Sequence, residues 1–481
     1  MLFAAALALT PAAAQQVRYL DPQDVAEAQR ENAQVIEELG GAETGRRAAY
    51  VESVGRRVAA FSGLANPAQQ LHFTTLNSAV ENAFSVPGGY VYITRQLMTL
   101  MGDESQLAFA LGHEVGHIAG NHAHQREEVE RELSWRVLPE ILLGRMIGGG
   151  YGNEIALRGA LAAKLQTLSF SREQEYEADT LGMRYMMAAG YDPAGAAQLL
   201  ASLARETALE ARVQGRKNRR IPEWALTHPL SENRMQRALE EARDSGRLGN
   251  GVHNRDAFLS ELEGIYVDDD PAQGVIDGPV FTHPDLRIQF RVPTGYLMSN
   301  GTYAVTIAGS AGKAQFSGGR YSGSLDDYIV GVFEQLTRGG AQLAIPRPVR
   351  TSINGMPAEM TTAHVNTNSG LVDVSVVAYQ WDPQHVYHFV MLTSGGTGLG
   401  PFRPMVNSMR KITRAEAADI RPRIIHVVTV GPDDSLQSLA NRMAYRDYKL
   451  DRFLTLNGLT ANSRLVPGQK VKLVVYGARR S

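Results

Sequence analysis

The sequence predicts a multidomain chain with a mainly helical first domain, an α+β middle domain and a small β-α-α-β unit at the end. Its 481 residues exceed the roughly 250–300 that a single core reaches. Helical spacing of Ala, Glu, Arg and Leu dominates as far as Asn250, whereas short alternating strands and glycine-rich turns follow from Ile265. We therefore predict domains at 15–250, 265–413 and 423–477, with a linker at 414–422.

The first residues have the composition of an export signal. Met1–Gln16 is an apolar run that ends in small residues, which predicts a signal peptide over 1–14 with cleavage after Ala14. A frayed apolar tail is the alternative. Val137–Gly150 is the most apolar later stretch, but Glu140 and Arg145 interrupt it, so no transmembrane span is predicted. We expect an exported protein.

Composition excludes several classes of function. The formal charge of −2 leaves no strongly basic surface, so no nucleic-acid partner is expected. Because the chain has no cysteine, it has no disulfide, no thiol nucleophile and no cysteine-bound zinc. Any metal site must use histidines and carboxylates.

The motif HEVGH lies inside an apolar, helix-periodic segment from Gln106 to Gln125. Helical geometry puts His113 and His117 on one face, where two imidazoles can share one zinc ion. Glu114 is adjacent to the first ligand and can take a proton from a metal-bound water. A chance occurrence of this short pattern is the alternative reading.

A second helical segment, SREQEYEADTLGMRYM, offers the third ligand that a catalytic zinc requires. Glu175 and Asp179 are four residues apart and point the same way. Glu175 can bind the metal, and Asp179 can accept the free ring N–H of a zinc-bound histidine. The alternative is a solvated acidic face. The prediction is one Zn²⁺ per chain, held by His113, His117 and Glu175.

HEVGH followed by EYEAD, and preceded by NAFSVPGGYVYITRQLM, resembles a gluzincin family of zinc metalloendopeptidases. That family includes CAAX prenyl proteases, HtpX-type and Oma-type peptidases and, most closely, periplasmic proteases of the BepA type. The resemblance covers roughly Asp21 to Arg243 and implies a zincin-like fold. It also implies a strand beside the cleft, whose exposed edge over Asn82, Val91, Tyr92 and Ile93 would hold a substrate peptide.

The resemblance extends to THPLSENR, which matches a late His-Pro motif of the family. It implies that His228 faces the zinc, as an oxyanion donor or a resting-state ligand, and that Arg234 belongs to the site. A simple helix-entry turn is the alternative. His122 and His124 fall on other helix faces and are expected to be structural or exposed.

The last segment, from HVVTVGPDDSLQSLANRM to LVPGQKVKLV, is similar to a LysM module. Asp434 is the predicted N-cap of its first helix. The resemblance implies binding to the glycan of peptidoglycan and a role as a tether that adds no catalytic group. A structural cap without glycan binding is the alternative.

Together these features predict a zinc-dependent endopeptidase of the bacterial cell envelope, in the periplasm and associated with the cell wall or outer membrane. Its expected substrates are misfolded or misassembled envelope proteins. The alternative is a periplasmic chaperone or wall-binding protein with a latent zinc site, although the intact Glu114 favours the enzyme. The middle domain weakly resembles Mog- and PsbP-type sandwiches, which implies only an interaction role.

Overall fold

A computed structural model describes residues 18–125, 170–213, 228, 232–336, 344–367 and 370–479. The predicted signal peptide lies outside these residues. So does all of 133–168, a glycine-containing stretch that the sequence leaves open as either a lid or a helical hairpin.

The first domain surrounds a small sheet with helices, as its helical spacing predicts. Its helices before the metal motif are α1 (Pro22–Glu38), α2 (Arg46–Ala59), α3 (Pro67–Gln70) and α4 (Arg95–Leu100). The later described helices are α5 (Glu104–Gly120), α6 (Arg172–Ala188), α7 (Ala194–Val213), α8 (Glu232–Asp244) and α9 (Arg255–Leu262).

The small sheet has three strands, β1 (His72–Leu76), β2 (Ala83–Val86) and β3 (Tyr90–Thr94), in the order β1-β3-β2. β3 pairs in parallel with β1 and antiparallel with β2, so it is the central strand. Val91, Tyr92 and Ile93 are buried. The prediction that this segment offers a free edge is therefore wrong, because both of its edges are already paired. The edge strand on the metal side is β2.

Helices α5 and α6 approach each other backbone to backbone. A side chain at Gly182 would place a Cβ 2.7 Å from the backbone nitrogen of His113, and one at Gly116 would lie 3.0 Å from the carbonyl oxygen of Ala178. Only glycine permits this approach. The close crossing brings the first turns of α6 within reach of the histidines on α5.

The middle domain contains two antiparallel sheets and a helix. The strands of the smaller sheet are β5 (Val275–Asp277), β6 (Val280–His283), β7 (Ile288–Arg291) and β15 (Arg410–Lys411). Those of the larger sheet are β8 (Leu297–Asn300), β9 (Val305–Gly309), β10 (Gly312–Arg320), β11 (Val349–Ile353), β12 (Met356–Thr367), β13 (Gly370–Asp382) and β14 (His385–Ser394). The larger sheet has the order β11-β12-β13-β14-β10-β9-β8, and the smaller one has the order β15-β7-β6-β5. Helix α10 (Leu325–Leu336) packs on one face of the larger sheet, and α11 (Arg403–Ser408) lies near the smaller one.

The C-terminal unit follows a short helix, α12 (Arg414–Ala418), that lies inside the predicted linker. The unit consists of β16 (Arg423–Thr429), α13 (Leu436–Asn441), α14 (Lys449–Leu456) and β17 (Lys470–Tyr476). Ser435, not Asp434, is the N-cap of α13, and the Asp434 carboxylate instead accepts from the backbone of Gly431. A further strand, β4 (Tyr266–Val267), pairs with β16 and extends this sheet.

The C-terminal unit is packed into the first domain. One hydrophobic cluster includes Leu97 and Met101 of the first domain together with Ile425, Phe453 and Leu473 of the C-terminal unit. The ammonium of Lys472, which is 1% exposed, donates to the carbonyl oxygens of Thr99 and Met101 at 2.6 Å each. These carbonyls close α4, just before the metal-motif helix begins. The expectation of a simple tether does not hold, because the two units share a core.

None of the helices in the described residues combines the length and the apolar character needed to cross a membrane.

Candidate metal centre

Four buried side chains aim their ligand atoms at one point. His113 and His117 come from α5, Glu175 from the first turn of α6, and His228 from the segment before α8. The Nε2 atoms of His113 and His117 are 3.0 Å apart. Glu175 Oε2 lies 3.6 Å from His113 Nε2, and Glu175 Oε1 lies 3.4 Å from His117 Nε2. The structure thus brings the three predicted ligands together.

These separations fit a tetrahedral zinc ion. Ligand atoms about 2.1 Å from such an ion lie about 3.4 Å from one another. His228 Nδ1 fits the same set, at 3.4 Å from His113 Nε2 and 2.9 Å from Glu175 Oε1. All four side chains are at most 6% exposed. Donor type, spacing and burial therefore all suit a metal ion, and the three histidines with one carboxylate form a complete set of four ligands.

The charges around this point favour a cation. Glu114, Glu175 and Asp179 are buried carboxylates, and among the described residues Arg234 is the arginine that pairs with Glu175 and Asp179. Burial alone would lower the pKa of His228, but the carboxylates of Glu175 and Glu114 raise it to about 9. The negative charge that would hold a proton on the His228 imidazole also favours a divalent cation next to it.

Asp179 and Arg234 hold the ligands in place. Asp179 Oδ1 lies 3.0 Å from His113 Nδ1, the ring nitrogen that faces away from the metal point. Arg234 donates to both oxygens of Asp179 at 2.7 Å, and its third nitrogen lies 2.5 Å from Glu175 Oε2. Burial would raise the pKa of Asp179, but Arg234 lowers it, so Asp179 stays ionised. The planar guanidinium of Arg234 therefore orients the ligand Glu175 directly and the ligand His113 through Asp179.

Glu114 occupies the position of a general base. Its Oε2 accepts a hydrogen bond from Ser85 Oγ at 3.0 Å, which leaves Oε1 facing the site, 3.5 Å from His228 Nε2. Ser85 belongs to β2, so the edge strand and the HEVGH helix meet at this carboxylate.

His122 is a site residue that the helix-face argument missed. It is fully buried, and its Nδ1 lies 2.9 Å from His117 Nδ1. Its Nε2 lies 3.3 Å from Glu177 Oε2. His122 lies just past the end of α5, where Asn121 adopts a left-handed conformation, so the chain turns and brings His122 back against His117. An i, i+5 spacing after a helix-ending asparagine is the signal that could have found it.

We expect His122→Ala to lower metal affinity by roughly 10–100-fold, because the ring of His117 loses the partner that fixes its orientation. Competition with a chromophoric chelator measures this affinity. His124→Ala is the matched control, since the His124 ring lies 2.6 Å from the Asp24 carboxylate and His124 does not belong to the group that converges on the metal point. Equal metal affinity in His122→Ala and wild type would contradict this role.

Two cavities flank the metal point. A groove of about 470 Å³ runs beside the end of β2, with Ser85, Val86, Gly88, His117 and Phe170 among its lining residues. On the other side of Glu114, a small cavity of about 50 Å³ is lined largely by apolar residues from α5 and α7. An extended peptide lying along β2 would thus have space on both sides of the metal point.

Comparison with known families agrees with this geometry. Residues 45–242 match peptidase family M48, and residues 428–474 match the LysM domain. The chain therefore contains an M48 metallopeptidase domain and a C-terminal LysM domain.

Among curated proteins, the chain is similar to the beta-barrel assembly-enhancing protease of Escherichia coli. The two are 32% identical over 198 residues, which cover 40% of this chain and 38% of that protein. The mitochondrial metalloendopeptidase OMA1 of Schizosaccharomyces pombe is 29% identical over 192 residues, which cover 40% of this chain and 52% of that protein. The alignments therefore span about two fifths of the first relative and about half of the second.

The cyanobacterial PsbP protein of Synechocystis aligns with 29% of this chain and 98% of its own, at 8% identity and a TM-score of 0.24. A score this low carries no argument. The PsbP-like character of the middle domain remains a prediction.

Proposed function

We propose that this protein is a zinc endopeptidase of the bacterial cell envelope. The observation that carries the proposal is the buried group of His113, His117, Glu175 and His228 beside the Glu114 carboxylate. A zinc ion bound there would polarise the scissile carbonyl and acidify a water molecule. Glu114 Oε1 takes the proton of that water and passes it to the leaving amine, while Ser85 holds the other oxygen.

The substrate peptide is proposed to add to the free edge of β2. Support comes from the sheet order, which leaves β2 paired on one side only among the described strands, and from the Ser85–Glu114 contact. An extended peptide on this edge would present its backbone to the metal point. The small apolar cavity beside Glu114 favours a small apolar side chain next to the scissile bond.

Removal and return of the metal test the proposal. Treatment with a zinc chelator should abolish cleavage of an unfolded protein such as casein, and about one equivalent of Zn²⁺ per chain should restore it. Cleavage that persists in fully metal-free protein would rule out a zinc mechanism.

Misfolded or misassembled envelope proteins are the proposed substrates, and peptidoglycan is the proposed anchor through the LysM domain. The proposed substrates rest on the similarity to a protease named for β-barrel assembly, and the proposed anchor rests on the LysM match. Export to the periplasm belongs to the same proposal. Sedimentation of the intact protein with isolated peptidoglycan tests the anchor, and an unbound protein would contradict it.

The alternative is a chaperone or wall-binding protein with a latent metal site. The observation in its favour is that His228 completes the ligand set, because a working protease leaves one position for water. Casein cleavage by the wild-type protein separates the two functions, because an endopeptidase cleaves casein at a measurable rate and a protein with a latent metal site does not.

His228→Ala is expected to raise the cleavage of unfolded protein, since it removes the fourth ligand and opens a position for water. Metal should remain bound through His113, His117 and Glu175. A rate assay combined with metal analysis checks both outcomes. A fall in rate of roughly 10²–10³-fold would instead assign an oxyanion role to His228. No change in rate or metal affinity would show that His228 is only a turn residue.

A further inference from the structure

A cavity of about 540 Å³ lies where the LysM domain meets the peptidase domain, away from the metal centre. α7 contributes Gln198 and Arg205, the LysM domain contributes Asn457 and Gly458, and Arg255 comes from α9. The volume is in the range of small-molecule and peptide sites.

The cations in this cavity are not neutralised by carboxylates. In the part of the chain that the structure describes, Arg205 has one hydrogen-bond partner, the Ser202 hydroxyl at 3.0 Å, and its buried Nε has none. Burial lowers the pKa of Arg205, and no carboxylate opposes this effect. Within the same described residues, Arg255 donates to the carbonyl oxygens of Gly102 and Lys470.

The acidic residue in the lining is already engaged. The carboxylate of Asp103 accepts from Ser105 Oγ and Gln106 N, and it lies 3.0 Å from the ring of His253. Asp103 is the N-cap of α5, and its ion pair within the described residues is with His253 and not with Arg205 or Arg255. Arg205 is partly buried and its guanidinium has lost part of its hydration without gaining a counter-ion, a cost that an anionic ligand would offset.

The LysM domain supplies the wall next to Arg205. A Cβ added at Gly458 would lie 3.4 Å from Arg205 NH2, and Gly458 has a left-handed backbone with φ of 64°. The turn that ends α14 therefore lies directly against the guanidinium.

We propose that this cavity binds a short peptide through its free carboxylate, with Arg205 as the carboxylate's partner. The favoured ligand is the stem peptide of peptidoglycan, and this part rests on the proposed attachment to the wall. Gln198 lines the same space, and its amide nitrogen suits a peptide carbonyl of such a ligand, whereas the Asn457 amide is already bonded to the backbone of Phe453 and Lys472.

Isothermal titration calorimetry on the full, metal-loaded chain tests this proposal with four probes. They are a stem tripeptide with free carboxylates, the same peptide fully amidated, an ordinary tripeptide of similar charge, and a peptide-free N-acetylglucosamine oligomer. We expect the stem tripeptide to bind, and amidation or Arg205→Gln to weaken binding by about tenfold or more, as for a lost charge-assisted hydrogen bond. Arg205→Lys should retain part of the affinity.

Arg30→Gln is the matched control, because Arg30 is exposed on α1 and does not line the cavity. Equal binding of the stem tripeptide by Arg205→Gln and wild type, or no binding by wild type, would overturn the proposal. Equal affinity for the ordinary tripeptide would overturn the assignment to the wall and point to peptide products. Failure of the N-acetylglucosamine oligomer to bind would count against the proposed LysM function alone, since Arg205-dependent binding of the tripeptide is measured separately.

Discussion

Replacement of Glu114 by glutamine is expected to lower proteolysis by at least roughly 10²–10⁴-fold, the usual cost of losing a general base. The amide keeps the size of the side chain and can still contact Ser85, but it cannot take a proton from water. Glu114 is not among the four side chains that converge on the metal point. Metal content should therefore stay near one ion per chain. Casein cleavage and metal analysis on the same preparation measure both quantities.

Glu173→Gln serves as the control for this change, because Glu173 is an exposed carboxylate in the first turn of α6. It should keep the wild-type rate. Full activity of Glu114→Gln would show that the water is activated by another group and would refute the proposed mechanism.

Loss of the LysM domain is expected to destabilise the peptidase domain. Deletion of residues 423–481 would remove Ile425, Phe453 and Leu473 from a core that they share with Leu97 and Met101. Each large apolar side chain removed from a core costs about 2–5 kcal/mol. We expect a much lower melting temperature or insoluble protein, together with loss of wall binding. Thermal unfolding and solubility measure the effect.

Lys472→Met tests the same interface without removing the domain. The substitution leaves the carbonyl oxygens of Thr99 and Met101 without their donor, at an expected cost of about 1–3 kcal/mol. Lys470→Met is the matched control on the same strand, since Lys470 forms a surface ion pair with Asp256 worth at most about 1 kcal/mol. Denaturant unfolding should show one transition. Independent unfolding of the LysM domain in wild type would contradict the shared core.

Local spacing predicted three of the side chains that meet at the metal point, whereas His228 was implied only by the family resemblance. An i, i+4 pair on each of two helices places His113 with His117 and Glu175 with Asp179, and the structure has both pairs on facing helices. What spacing cannot supply is the distance between those helices, which depends on the contact made at Gly182.

The features that sequence reasoning missed depend on long-range packing. Whether a strand such as Val91–Thr94 is central or at an edge is decided by the strands that pair with it, and its own residues do not specify those partners. His122 reaches His117 only because the chain reverses at Asn121. The burial of Lys472 follows from the docking of a domain that folds from the far end of the chain.

The most direct test of the account is the position of the metal in a crystal of the zinc-loaded protein, determined by anomalous scattering at the zinc edge. We predict one zinc peak per chain, about 2.1 Å from His113 Nε2, His117 Nε2 and a Glu175 oxygen. A peak held by other side chains, or no peak in protein that cleaves casein, would contradict it.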